Sequence, residues 1–301
     1  MDFYRGKRVL ITGGSSGIGL ATAIGLARRG ADVAIAARDE ARLASAAEEI
    51  RKAALDGGRE AAVVVPIAMD VTSTASVEAG VKRALEALGG VDLVVNNAGY
   101  AQPGYIDQLA EADYVAMLEV NYLGAVRVIR ALLPHFMERR QGAIVNVTSM
   151  LGFMGTFGYS AYCGSKYALS GYTEALRQDL LPFGVSVHLC YPPTTKTPGL
   201  DKENENKPPE AWAIEGASRA FGPEAVAQAI LDGVEAERFH IVVGMDSSLI
   251  WLAQRFAPGL VRWSIDGILR KHLKQHGDGR AKLEGAAGKT PAKDGAAPPK
   301  R

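Results

Sequence analysis

Two cysteines in 301 residues, Cys163 and Cys190, exclude a fold stapled by disulfides, and they show no metal-ligand spacing. A reducing, cytoplasmic compartment is the expectation. Net charge is also nearly absent: 34 basic residues against 33 acidic ones leave +1, which gives no electrostatic footprint for nucleic acid. No charged segment followed by an apolar stretch precedes Arg8, so a secretory leader is not expected. The uncharged run 142–161 contains Asn146, Thr148, Ser149 and four glycines. It reads as strand, loop and helix start rather than as a membrane span.

What is present is an ordinary globular composition, 48 % hydrophobic and 22 % charged with 34 glycines. A core of this size can bury roughly three-quarters of the unfolded surface. Short Val/Ile-rich runs at 8–12, 32–37, 62–68, 91–96, 143–148, 185–191 and 241–243 alternate with helical patterns. Those patterns cover 18–29, 40–55, 74–88, 113–139, 161–181 and 224–235. The alternation predicts an α/β fold in one domain: a doubly wound, parallel, seven-stranded sheet with helices on both faces. The catalytic unit is expected over 1–245. Within it, a Pro/Thr/Asn/Lys/Glu-rich insertion at 194–222 reads as a lid with a short helix near 211–216. An amphipathic helical extension follows at 246–276, then a tail at 277–301 too poor in apolar residues to order.

After the first strand comes Thr12-Gly13-Gly14-Ser15-Ser16-Gly17-Ile18-Gly19, which opens the first helix. Glycines there permit a tight turn and close backbone approach to a pyrophosphate at the helix N-terminus. The flanking strands make this a dinucleotide site rather than a bare turn. NAD-selective sites place a carboxylate at the end of the second strand to meet the ribose 2′-OH. Here Ala37 holds that place and Arg38 follows, suited to forking onto a 2′-phosphate; Arg42 and Ser15 can add contacts. Asp39 precedes a helical run and reads as its N-cap. NADP(H) is the expected cofactor. Asp70 and Val71 follow the third strand, with Asp70 placed to meet the adenine amine or to cap the next helix. Asn97, in Asn96-Asn97-Ala98-Gly99, closes the fourth strand at the ligand edge of the sheet.

Ser149 follows the fifth strand, Tyr162 lies further on, and Lys166 stands one helical turn beyond the tyrosine on the same face. A free tyrosine with pKa near ~10 is poorly matched to proton transfer at neutral pH. An ammonium ~4 Å away at an effective dielectric near ~20 supplies roughly 4 kcal/mol, enough to lower that pKa by up to ~3. Tyr162 is therefore the candidate acid/base for hydride chemistry at a carbonyl, with Ser149 on the carbonyl oxygen. Lys166 is expected to hold the nicotinamide ribose and tune Tyr162. Asn121 is placed to hold a proton-relaying water, or merely to kink its helix.

The segments 12–19 and 96–99, with Asn121, Ser149 and Tyr162-Cys163-Gly164-Ser165-Lys166, resemble the short-chain dehydrogenase/reductase family over approximately residues 5–245. The resemblance implies an Asn-Ser-Tyr-Lys tetrad and a homodimer or homotetramer built through the two long helices. One departure narrows the substrate: Tyr191-Pro192-Pro193-Thr194-Thr195-Lys196-Thr197-Pro198-Gly199 carries Pro193 where the family usually has glycine. Thr197 keeps the place of the threonine that contacts the cofactor's carboxamide. This segment is similar to the family's sphingoid-base ketoreductases, and implies NADPH-dependent reduction of a long-chain amino ketone, 3-oxosphinganine. A hydroxysteroid or 3-oxoacyl thioester, or cofactor sensing without catalysis, are the alternatives. Asp201, Glu203 and Glu205 are candidates for the substrate's ammonium, against the plainer reading of a solvated loop.

Unlike the eukaryotic members of that group, the chain has no evident spanning helix, which points to a bacterial type. Residues 249–274 instead alternate Leu249, Trp251, Phe256, Leu260 and Trp263 with Arg255, Arg262, Arg270, Lys271 and Lys274. They are expected to pack on the core or on a second subunit, or else to rest peripherally on a membrane.

Overall fold

A computed structural model describes residues 3–59, 62–216 and 220–279. The strands are β1 Arg8–Thr12, β2 Asp32–Ala37, β3 Val64–Ala68, β4 Leu93–Asn96, β5 Gly142–Val147, β6 Val185–Tyr191 and β7 His240–Val242. They form one parallel sheet in the order β3-β2-β1-β4-β5-β6-β7. The order reverses between β1 and β4, where the crossovers leave opposite faces and a crevice opens at the carboxyl edge. The helices are α1 Gly17–Arg28, α2 Glu40–Asp56, α3 Thr74–Leu88, α4 Glu111–Leu118, α5 Gly124–Arg139 and α6 Ser160–Leu180. Then come α7 Pro198–Asn204, α8 Pro209–Glu215, α9 Pro223–Glu235, α10 Met245–Phe256 and α11 Pro258–His276.

Strands buried on both faces explain the continuous apolar runs. In β1, Val9 and Ile11 point to one layer with Leu26 of α1, Leu43 of α2 and Ile230 of α9. Leu10, between them, joins the other layer with Val81 of α3, Val128 of α5 and Leu176 of α6. Asp92 anchors the amino edge of β4, accepting hydrogen bonds from Arg8 Nη2 at 2.7 Å and Arg139 Nη2 at 2.8 Å.

Three elements differ from expectation. The helix expected over 113–139 is two helices, α4 and α5, joined by a π-helical turn at Glu119–Leu123. A single inserted residue there leaves apolar periodicity intact on both sides, so the pattern reads as continuous. The lid contains two short helices rather than one. The unexpected α7 starts with Thr197, whose Oγ1 accepts from Leu200 N at 3.2 Å, and with Pro198 at its first position. In the extension, α10 and α11 pack on each other, on β7 and on the lid helix α8, but leave Leu249, Phe256, Leu260 and Trp263 exposed, so the core covers only part of this face. Among the described residues, no helix is long and apolar enough to cross a membrane. The tail expected to lack order lies, from residue 280 onward, outside the described residues.

Candidate active site

The turn after β1 is bound to its neighbours at both ends. Gly13 N donates to Ala36 O of β2 at 2.7 Å, and Thr12 Oγ1 accepts from both Asn97 N and Ala98 N at 3.1 Å. Asn97 Nδ2 returns to Gly13 O at 3.2 Å, so the amide expected at the cofactor also clamps β4 to the glycine turn. Gly14 and Gly19 serve close packing: a β-carbon would lie 2.7 Å from Ile35 Cγ2 at Gly14, and 2.3 Å from Gly13 O at Gly19. Ser16 precedes α1 without a side-chain cap, which leaves the first backbone N–H groups of a twelve-residue helix for a ligand.

A cavity of about 620 Å³ runs from this turn, along Gly13, Ser15, Ser16, Gly17 and Ile18, past Asn97, to Ser149, Tyr162, Lys166 and Thr197. A β-carbon on Gly17, whose φ is +55°, would come within 2.9 Å of Thr197 Cγ2. The lid thus meets the glycine turn directly. An uncapped helix start, a glycine wall and a buried lysine in one cleft fit a dinucleotide.

Arg38, Arg42, Asp70 and Val71, the other expected cofactor residues, do not line this cavity. Asp39 Oδ1 accepts from Arg42 N at 3.0 Å, so this carboxylate caps α2. Arg38 is close enough for its charge to lower the Asp70 carboxyl and to oppose the upward shift of Tyr100, a cavity residue. Asp70 does not cap α3; Ser73 does, and Asp70 Oδ1 instead accepts from Thr72 N at 2.9 Å, with that bond the largest cause of its lowered pKa. Val71 packs beside Gly124, whose β-carbon would lie 2.9 Å from Val71 Cγ2.

Asn121 lies at the centre of the π turn, 1 % exposed. Its Nδ2 donates to Tyr100 O and Ser165 Oγ, both at 2.9 Å, and its Oδ1 accepts from Tyr100 N at 2.9 Å. Both amide hydrogens are committed to protein groups, so the side chain ties the loop after β4 to α6. Lys166 is buried, with Nζ donating to Val147 O at 3.0 Å and standing 5.7 Å from the Tyr162 ring centroid. Burial brings its pKa down to about 8.

Tyr162 itself is pushed well above the ordinary phenol range, first by burial, then by the charge of Glu203, while a hydrogen bond with Ser149 opposes the rise. The expected lowering by Lys166 is therefore not what the protein's own groups produce. Burial weakens the lysine's hold on its own proton, and the charge of Glu203 acts on the phenol in the other direction.

That carboxylate belongs to a cluster which sequence reasoning largely missed. Tyr159, one turn before Tyr162, donates to Glu203 Oε1. Lys207 Nζ, with its side chain wholly buried, lies 3.5 Å from Glu203 Oε1 and donates to Glu215 Oε2. Thr194 Oγ1 donates to Glu215 Oε1 at 2.6 Å. Of the three acidic candidates, Asp201 and Glu205 are exposed and only Glu203 lines the cavity. The Glu203/Lys207 spacing of four residues was a readable ion pair; Glu215 carried no such signal.

The family model for short chain dehydrogenase matches residues 7–208. A 3-ketodihydrosphingosine reductase from Bos taurus is 39 % identical over 302 aligned positions, which span 93 % of this chain and 89 % of that protein. Among solved structures, a short-chain dehydrogenase/reductase from Burkholderia phymatum in complex with NAD is similar with a TM-score of 0.74 and 28 % identity, covering 88 % of this chain and 97 % of that one. A short-chain dehydrogenase from Sphingobium yanoikuyae in complex with NADPH gives 0.71 and 28 %, over 85 % and 95 % of the two chains.

Proposed function

The chain belongs to the short-chain dehydrogenase family, whose members use nicotinamide cofactors, and from that premise we propose that it reduces 3-oxosphinganine to sphinganine with NADPH. The observation that carries this reading is the similarity to a 3-ketodihydrosphingosine reductase along nearly the whole chain, lid included. NADPH, when bound, supplies the hydride to the carbonyl carbon. Gly13 to Gly19 and the start of α1 would hold its pyrophosphate, and Arg38, with Arg42 and Ser15 nearby, its 2′-phosphate. Asp70, Val71, Asn97 and Thr197 would complete the cofactor contacts.

Tyr162 gives the proton of its hydroxyl to the carbonyl oxygen, and Ser149 donates a hydrogen bond to the same oxygen and fixes the ketone. Lys166 holds the ribose and carries the positive charge that favours the resulting phenolate. Asn121 acts through position, since it ties Tyr100 to Ser165 on the catalytic helix. A homo-oligomer formed across α4, α5 and α6 is the assembly we propose, and the exposed face of α10 and α11 is proposed to rest on a membrane.

The deciding experiment compares NADPH oxidation with 3-oxosphinganine, a 3-oxoacyl thioester and a steroid ketone. The expected result is the highest kcat/KM with 3-oxosphinganine. A higher value with the thioester or the steroid would overturn the substrate and leave only ketone reduction.

A further inference from the structure

We propose that Glu203, together with Glu215 and the buried Lys207 behind them, forms the subsite that selects a cationic amine next to the reacting ketone. The inference rests on the ketoreductase reading above and names the residue that would make it specific for an amino ketone.

The argument starts from charge. Two carboxylates share one ammonium: Lys207 Nζ bonds Glu215 closely and reaches Glu203 only at 3.5 Å. Lys207 is fully buried, while Glu203 and Glu215 keep 19 % and 21 % of their side-chain surface, and both line the cavity. Two partly desolvated carboxylates on one cation leave an uncompensated negative charge, which is costly unless another cation arrives. Both contacts of Glu203 engage Oε1, from Tyr159 and from Lys207. The cavity wall has a second unmatched polar group: Thr156 Oγ1 is buried without a hydrogen-bond partner. A carboxylate and an unpartnered hydroxyl on the wall of one cavity suit a head group that bears an ammonium and a hydroxyl.

Position couples this subsite to the chemistry. The charge of Glu203 is felt at the Tyr162 hydroxyl and holds its proton on. Burial also raises the Glu203 carboxyl, a change that an ammonium partner reverses. A cation docked on Glu203 cancels the field at Tyr162, which makes the phenol a stronger acid at the moment it must release its proton. The amine therefore contributes to kcat as well as to KM.

The test uses the full chain with NADPH and three ketones of equal chain length: 3-oxosphinganine, its N-acetyl derivative and the same ketone without the amine. For the wild type, kcat/KM with the free amine should exceed that with either neutral ketone by ~10–100-fold, the range of a charged hydrogen bond. In Glu203→Gln that preference should shrink to within about 3-fold of unity, with NADPH affinity reporting that the variant is folded. Should Glu203→Gln fail to fold, the wild-type comparison decides alone. Equal kcat/KM for all three ketones in the wild type overturns the subsite and leaves the ketoreductase reading standing. No turnover of any of them overturns both. A Glu203→Gln enzyme that is folded and keeps the full preference moves the recognition elsewhere and overturns the assignment.

Discussion

Tyr162 carries a proton that its surroundings hold in place: burial and Glu203 oppose ionisation, Ser149 eases it, and Lys166 sits nearby with a pKa of about 8. A protonated phenol is the state required to meet a carbonyl that is gaining hydride. Tyr162→Phe removes the transferable proton and little else, since the ring still fills its place. Turnover should fall by at least ~10²-fold while NADPH affinity, measured by cofactor fluorescence, stays within a few-fold. A variant that keeps more than a tenth of the wild-type rate would remove Tyr162 from the role of acid. The Ser149, Tyr162 and Lys166 constellation was legible because helix periodicity alone puts Tyr162 and Lys166 on one face. Glu203 stood only as one of three acidic candidates and Glu215 not at all, because charged residues in a polar insertion look the same whether they are solvated or folded inward. Only the fold brings residue 203 to the cavity wall beside residue 162.

At the scale of elements, the ends of strands do the selecting. β2 ends in Ala37, and the carboxylate that follows, Asp39, is committed to capping α2, which leaves Arg38 as the charged group proposed for the ribose 2′-phosphate. Arg38→Ala should weaken NADPH by about 1.5–3 kcal/mol and NADH hardly at all, read as dissociation constants for the two cofactors. Equal losses would mean that Arg38 does not read the 2′-phosphate. Sequence pattern located every strand to within two residues, because strands buried on both faces are continuous apolar runs bounded by polar turns. It did not reveal the π turn at Glu119–Leu123, since an offset of one residue leaves no gap in composition. The start of α7 was open to reading in Thr197-Pro198, a capping residue followed by the residue best suited to the first helical position. The functional weight given to Thr197 as a cofactor contact hid its local role.

For the whole molecule, the unresolved balance of burial lies in the C-terminal hairpin. None of the nineteen residues of α11 is buried, and Phe256 and Trp263 are 78 % and 72 % exposed. This face is not remote from the chemistry: α11 packs on α8, the lid helix that carries Glu215, and α10 contributes Ile250 to the cavity wall. If the hairpin rests on lipid as proposed, it would join the layer in which a long-chain ketone resides to the lid that stands over Tyr162. Arg262, Arg270, Lys271 and Lys274 against Asp266 make α11 cationic, suited to an anionic surface. With vesicles containing anionic lipid, the full chain should co-sediment, and the double change Phe256→Ser and Trp263→Ser should lower the partition coefficient at least ~10-fold, since each side chain is worth about 1.5–3 kcal/mol of burial. Its kcat/KM for a water-soluble short-chain ketone should be unaltered, because neither residue lines the cavity. If the double variant instead dissociates an oligomer in sedimentation velocity and binds vesicles as before, the hairpin is a subunit contact, and the substrate reaches the cavity without a membrane-bound face.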